Sequence, residues 1–330
     1  MRRWFLLAAS LIVSGVFLWL ALRGVPLTDV LGGIRQANLI WVLLSFVCVV
    51  GSLIARAIRW RGLLDNRVPL MQAFHILNVT MLLNQLPLRA GEVARTLLAT
   101  RSGVPIVTAA TSIVVERLLD VVIVVIMLAI ALARLPSAPA AITQAAEAFG
   151  ALALIAFVAI MVFARYPQVA DRVLIWLEQR VPALRRLNLR RRVDEVLDGI
   201  RPLTDAGRAV HAIGWSLVCW LMPLITFYAL ERALSISGID LWEAALLGVT
   251  LASFSIAIPV SLASIGPFEG AVRVAGDAVQ MSALAATTLG FLYHGAAVIT
   301  YAVLGGIGLI VLGVSLGDVL EPTTEKSVTV

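Results

Sequence analysis

Five acids (Glu92, Glu116, Asp120, Glu269 and Asp277) and four arginines (Arg89, Arg95, Arg117 and Arg273) stand in stretches that are otherwise apolar or broken by Pro and Gly. A charge at the centre of a membrane span costs at least ~2.5–3.5 kcal/mol, so each needs a partner or a purpose. Glu116 and Asp120 are four apart and share a helical face, with Arg117 three before Asp120; Glu92 with Arg95 and Glu269 with Arg273 have helical i,i+3 and i,i+4 spacing. Two readings follow. Internal ion pairing would simply let the helices insert and dock. Alternatively, the arginines line a polar groove and bind a phosphate-type anion bidentately, while the acids orient them or carry protons. Asn84 and Gln85 precede Pro87, where their amides can cap broken backbone. His294 lies on an apolar helix, where a satisfied core histidine competes with a proton relay.

Other chemistry finds no residues to perform it. A G-x-x-x-x-G-K phosphate loop and an H-E-x-x-H pair are both missing, the one lysine is Lys326, and no nucleophile motif occurs. His75, His211 and His294 are scattered, and Cys48 and Cys219 each lie inside an apolar segment, so neither a metal site nor a disulfide framework is expected. No cofactor and no catalytic residue is assigned.

The elements that must position these charges are set by composition. Of 330 residues, 60% are hydrophobic and 14% charged, against roughly 45–50% and 25% in a soluble domain. Apolar runs at 4–22, 39–55, 105–133, 148–164, 211–230 and 283–313 are long enough to cross a bilayer. Bulky Phe17, Trp19 and Leu20 at the end of the first run argue for a retained span over a cleaved signal. Segments 70–103 and 241–281 are apolar but interrupted by Pro, Gly and polar residues, which is tolerated at membrane depth only where protein or a water-filled cavity buries the break. They read as re-entrant or broken elements. The expected fold is an all-α polytopic membrane protein, a single domain over 1–320 with about six to eight transmembrane helices and a disordered tail at 321–330.

Charge sets the orientation. The net charge is +6; residues 1–3, 56–69 and 165–210 carry +2, +3 and +4, leaving −3 for the rest. The positive-inside rule places these three segments, and the N-terminus, in the cytoplasm of a bacterial inner membrane. The basic excess then reports orientation, and nucleic acid drops out as a partner. Segment 165–210 suits two amphipathic basic helices at the membrane surface, one around Val173, Trp176, Leu177 and Val181, the other from Leu184 to Ile200. This topology also inverts two similar units. Leu86 to Arg95 and Ile265 to Arg273 each hold a Pro/Gly break, a Glu and a following Arg, and each precedes a long apolar helix with central polar groups. Inverted repeats with interrupted helices build substrate sites near the bilayer midplane.

Leu83-Asn84-Gln85-Leu86-Pro87-Leu88-Arg89-Ala90-Gly91-Glu92-Val93-Ala94-Arg95 resembles the N-x-L-P-x-R-x-G-E-x-x-R signature of the lysylphosphatidylglycerol synthase transmembrane family, and Glu116-Arg117-Leu118-Leu119-Asp120 its E-R-L-L-D element. Pro259 through Glu269 and Asp198-Gly199-Ile200-Arg201 are similar to two weaker motifs. Where the family often has two glycines, this chain has Ala263-Ser264-Ile265-Gly266. With no aminoacyl-transferase domain after residue 313, the resemblance implies the membrane half of the activity, a flippase or transporter of a polar-headed lipid, anionic or phosphate-bearing. Asn84, Arg89, Glu92, Arg95, Glu116, Arg117, Asp120, Glu269, Arg273 and His294 are the expected substrate-binding residues. The alternatives are a membrane-embedded transferase acting on a lipid-phosphate and a non-catalytic partner that docks an envelope-lipid biosynthetic enzyme through 165–210.

Overall fold

The computed structural model describes residues 2–86, 90–135, 140–180, 201–256 and 263–315. Among them are twelve α-helices and no strand. The helices form two successions of six with a similar alternation of long and short members. In the first, α1 (Arg2–Leu22), α2 (Leu27–Gln36), α3 (Leu39–Leu63), α4 (Leu70–Leu83), α5 (Gly91–Arg101) and α6 (Ile106–Arg134) have 21, 10, 25, 14, 11 and 29 residues. In the second, α7 (Ala140–Arg165), α8 (Pro167–Arg180), α9 (Ala206–Ala233), α10 (Leu241–Ile256), α11 (Pro267–Ala278) and α12 (Ala283–Leu312) have 26, 14, 28, 16, 12 and 30. Each half is thus a bent pair, a long helix, a broken pair and a second long helix.

Local chemistry sets the ends. Asn38 and Asp205 cap α3 and α9 at equivalent places, their side chains accepting from the backbone N–H groups of Ile40 and Arg208 at 3.0 Å. Ser282 caps α12 in the same way, and Gly313 ends it in the left-handed conformation. Pro69 and Pro105 stand immediately before α4 and α6, where a missing N–H and a fixed φ are tolerated.

The halves are inverted. The start of α3 meets the end of α9, where the Asn38 N–H donates to the Ala233 carbonyl at 2.9 Å. The end of α3 meets the start of α9, where Ile58 O and His211 Nε2 stand 3.2 Å apart. These corresponding helices therefore run antiparallel. The exchange continues outward: α4 lies along α12 of the other half, and α10 lies along α6. Apolar burial follows the same division, one cluster gathering Trp60, Leu64, Ile76, Leu83 and Leu98 and another Phe227, Leu230, Phe268, Val272 and Leu289.

Among the described residues α3, α9 and α12 can each cross a membrane by length and composition, and the bent pairs α1–α2 and α7–α8 raise the number to five, in keeping with the expected all-α polytopic fold. Helix α6 is long enough, but Glu116, Arg117 and Asp120 interrupt its apolar run. The apolar run expected over 39–55 extends as α3 to Leu63, which carries Arg56 and Arg59 of the positive segment into the helical body. Helix α2, set off from α1 by a 73° bend after Gly24, was not anticipated. Of the two amphipathic helices expected in 165–210, the first is α8; the second, Leu184 to Ile200, lies outside the described residues, as does the tail 321–330.

Candidate functional site

Four helices converge on a buried ladder of charge. From α3, the Arg59 guanidinium donates through Nε to Glu116 Oε1 at 3.3 Å and through Nη1 to Asp120 Oδ1 at 2.7 Å. The same Nη1 reaches Ser216 Oγ of α9 at 3.0 Å, and Trp220 Nε1 of α9 donates to Asp120 Oδ1 at 3.1 Å. From α5, Arg95 Nη1 meets Glu116 Oε2 at 2.6 Å, with its guanidinium 4.2 Å over the Trp60 ring. Arg59, Arg95, Glu116 and Asp120 are all buried. Removing one member of such a set strands its partner's charge, so the ladder ties α3, α5, α6 and α9 together.

One face of the ladder opens on a cavity of about 420 Å³, within the usual ~300–1,000 Å³ of small-molecule sites. Both breaks form its wall, Asn84 and Gln85 from the first and Ala263 and Ser264 from the second. They touch directly, the Ala263 N–H donating to the Gln85 carbonyl at 2.9 Å. Arg56, Arg117, Asp120 and His294 bring ionisable groups to the wall, and Phe268, Tyr293 and Tyr301 bring rings.

The breaks require unusual backbone. Gly91 starts α5 hard against the Thr80 carbonyl and the Asn84 side chain, leaving no room for a Cβ. Gly266 takes φ +93° before α11, and its N–H donates to Glu269 Oε2 at 2.7 Å. Ala263 and Ser264 adopt φ of 50° and 60°, a left-handed conformation that glycine reaches freely and other residues reach at a cost.

The expected pairs form between helices more than within them. Glu92 meets Arg117 of α6 at 2.6 Å, not Arg95; Glu269 meets His294 Nδ1 of α12 at 2.6 Å, not Arg273. Arg273 instead pairs with Asp277 at 2.9 Å and reaches Ala283 O and Thr287 Oγ1 of α12 at 3.2 Å, away from the cavity. Of the ten expected site residues, Asn84, Arg117, Asp120 and His294 line the cavity; Glu92 and Glu269 stand behind Arg117 and His294; Arg95 and Glu116 belong to the ladder. Arg89 lies outside the described residues. Arg56, Arg59, Ser216 and Trp220 were missed. Arg56 and Arg59 had been assigned to topology, although their spacing of three along an uninterrupted apolar helix puts both on one face. Among the described residues no group of three His, Cys, Asp or Glu is placed to hold a metal ion, and Cys48 and Cys219 are free and buried.

Two inverted sets of apolar helices, each broken beside a polar cavity, define a polytopic α-helical membrane protein. The chain belongs to the family of the lysylphosphatidylglycerol synthase TM region, whose profile matches residues 7–305. Membership places it among membrane proteins of lipid metabolism or transport. Neither a curated protein nor a solved structure matches the chain.

Proposed function

We propose that the protein moves a polar-headed lipid, anionic or phosphate-bearing, between the leaflets of a bacterial inner membrane, with its N-terminus in the cytoplasm. The observation that carries this reading is the cavity itself, a charged and hydroxyl-bearing space where the breaks of two inverted units meet. A head group crossing hydrocarbon must exchange its hydration for protein groups, and arginine, amide and phenol side chains at the breaks can supply them. The inverted halves offer a route for alternating exposure, one half rocking against the other about the α3–α9 seam. The ladder would keep α3, α5, α6 and α9 in register during that motion. Movement would be passive or gradient-driven.

Reconstitution into vesicles with a fluorescent phospholipid tests the reading. A membrane-impermeant reductant should bleach only the outer leaflet of protein-free vesicles and go on to bleach the inner-leaflet label when the protein is present. Vesicles with folded, incorporated protein whose bleaching stops at the outer leaflet, with neutral and anionic labels alike, reject it.

A further inference from the structure

The ladder and its neighbour Glu92 hold one cation more than they need. Four arginines, Arg56, Arg59, Arg95 and Arg117, meet three carboxylates, Glu92, Glu116 and Asp120. Arg117 is matched by Glu92, Arg95 by Glu116, and Arg59 by Glu116 and Asp120. Asp120 is already occupied, because Oδ1 accepts from Arg59 Nη1 and Trp220 Nε1, and Oδ2 accepts from Arg59 Nη2 at 3.4 Å. Arg56 Nη1 comes no nearer than 3.9 Å to Asp120 Oδ2, beyond hydrogen-bonding reach. Among the described residues Arg56 is the cluster's arginine without a hydrogen bond, and it lies on the cavity wall with its side chain 21% exposed.

A guanidinium at this depth with only a distant carboxylate and no hydrogen bond is costly, and its planar fork suits paired oxygens of an anion. Among the described lining residues Asp120 is the one carboxylate, and Glu269, behind the wall, is taken up by His294. Tyr293 and Tyr301 of α12 share the cavity wall with Arg56, and the amides of Asn84 and Gln85 stand at the first break. An excess of one positive charge matches a group with one negative charge, as in a phosphodiester; a phosphomonoester would bring about −1.5 to −2.

We infer that Arg56 anchors an anion subsite in the cavity for a singly charged phosphodiester, with Tyr293 and Tyr301 as neighbouring donors, while Arg59, Arg95 and Arg117 are held by the acids that join the helices. That the phosphodiester belongs to a lipid rests on the transport reading; the subsite does not.

Binding to the full chain in neutral detergent tests this, read by calorimetry and by the fluorescence of Trp220 at the cavity wall. The probes are dihexanoyl phosphatidylglycerol, its water-soluble deacylated phosphodiester, and uncharged dihexanoylglycerol. The charged lipid should bind; Arg56→Gln should weaken it roughly tenfold or more, the loss expected for hydrogen bonds to a charged group, with an unchanged unfolding midpoint. Arg56→Lys should retain part of the affinity, keeping the charge but losing the fork. Comparable binding of the deacylated probe assigns the subsite to a free anion, and binding of the lipid alone assigns it to a head group; both uphold it. Equal affinity of wild type and Arg56→Gln, or equal binding of the uncharged probe, overturns it. Wild-type binding without flipping in vesicles would leave the subsite standing and remove the transport reading. Flipping with Arg56-independent binding would do the reverse.

Discussion

The Glu269 carboxylate on α11 meets Nδ1 of His294 on α12 at 2.6 Å, 25 residues along the chain. In the other half Glu92 on α5 meets Arg117 on α6 at the same distance and across the same 25-residue interval. In both, the basic partner faces the cavity and the acid stands behind it. A single joint is thus built twice, tying the short helix after each break to the long helix that follows. The halves differ in what surrounds the joint. In the first, Glu116, Asp120 and three further arginines adjoin it, whereas in the second it sits among Phe268 and Tyr293, with the Phe268 ring stacked on His294 at 4.5 Å.

The two joints should differ in their contribution to stability. Glu269→Ala strands both His294 and the Gly266 N–H in a buried setting, a loss of about 1–3 kcal/mol. The Glu92–Arg117 pair has side chains 34% and 46% exposed, so Glu92→Ala should cost only about 0–1 kcal/mol. Unfolding midpoints in detergent report the difference; equal losses would mean that the two joints are not loaded as described.

Arg59 and Arg56, three residues apart, should behave oppositely. Arg59→Met leaves Glu116 and Asp120 short of their central partner and should destabilise by about 3–5 kcal/mol, seen as loss of monodisperse protein on size exclusion. Adding Asp120→Leu should restore part of the yield, because the stranded charge goes too. Arg56→Met should leave yield and elution unchanged. A well-behaved Arg59→Met protein with no change in midpoint would show that the ladder holds nothing together.

Much of this was readable beforehand, and the limits have physical causes. Both breaks were visible because Pro, Gly and polar residues inside apolar runs are incompatible with a continuous lipid-facing helix. The inversion was visible because arginines accumulate on one membrane side. That same signal hid Arg56 and Arg59, since a count of positive charges does not tell a solvated arginine from one buried against carboxylates fifty-seven or more residues on. Glu92 and Glu269 each had an arginine one helical turn away as a local candidate. The partners they take are set by how α5 docks on α6 and α11 on α12, which no local spacing encodes.

The second break should relax when glycine is introduced. Ala263 and Ser264 hold left-handed backbone where a Cβ is unfavourable, at a cost of order 1 kcal/mol or more each. Ala263→Gly and Ser264→Gly should each raise the unfolding midpoint, while Ser264→Val should lower it. A fall on introducing glycine would contradict the backbone geometry at the cavity wall.

Glu231 near the end of α9 is fully buried, and among the described residues neither of its carboxyl oxygens has a hydrogen-bond partner. Replacing a buried polar group that lacks partners by an apolar one of similar size removes a desolvation penalty. Glu231→Met should therefore raise the unfolding midpoint, by an amount on the order of 1–3 kcal/mol, without altering flipping. A lower midpoint would reveal a partner for this carboxyl.

The most direct test of passage through the cavity is to fill it. With Cys48 and Cys219 replaced by alanine, Ser253→Cys puts a single thiol on the cavity wall, and Val107→Cys puts one on the exposed face of α6. Both proteins are reacted to completion with a bulky maleimide, reconstituted, and assayed for bleaching of inner-leaflet fluorescent lipid. The account predicts that modification at 253 abolishes flipping and modification at 107 leaves it unchanged. Undiminished flipping by protein fully modified at 253 would contradict the claim that the lipid head group travels between the two breaks.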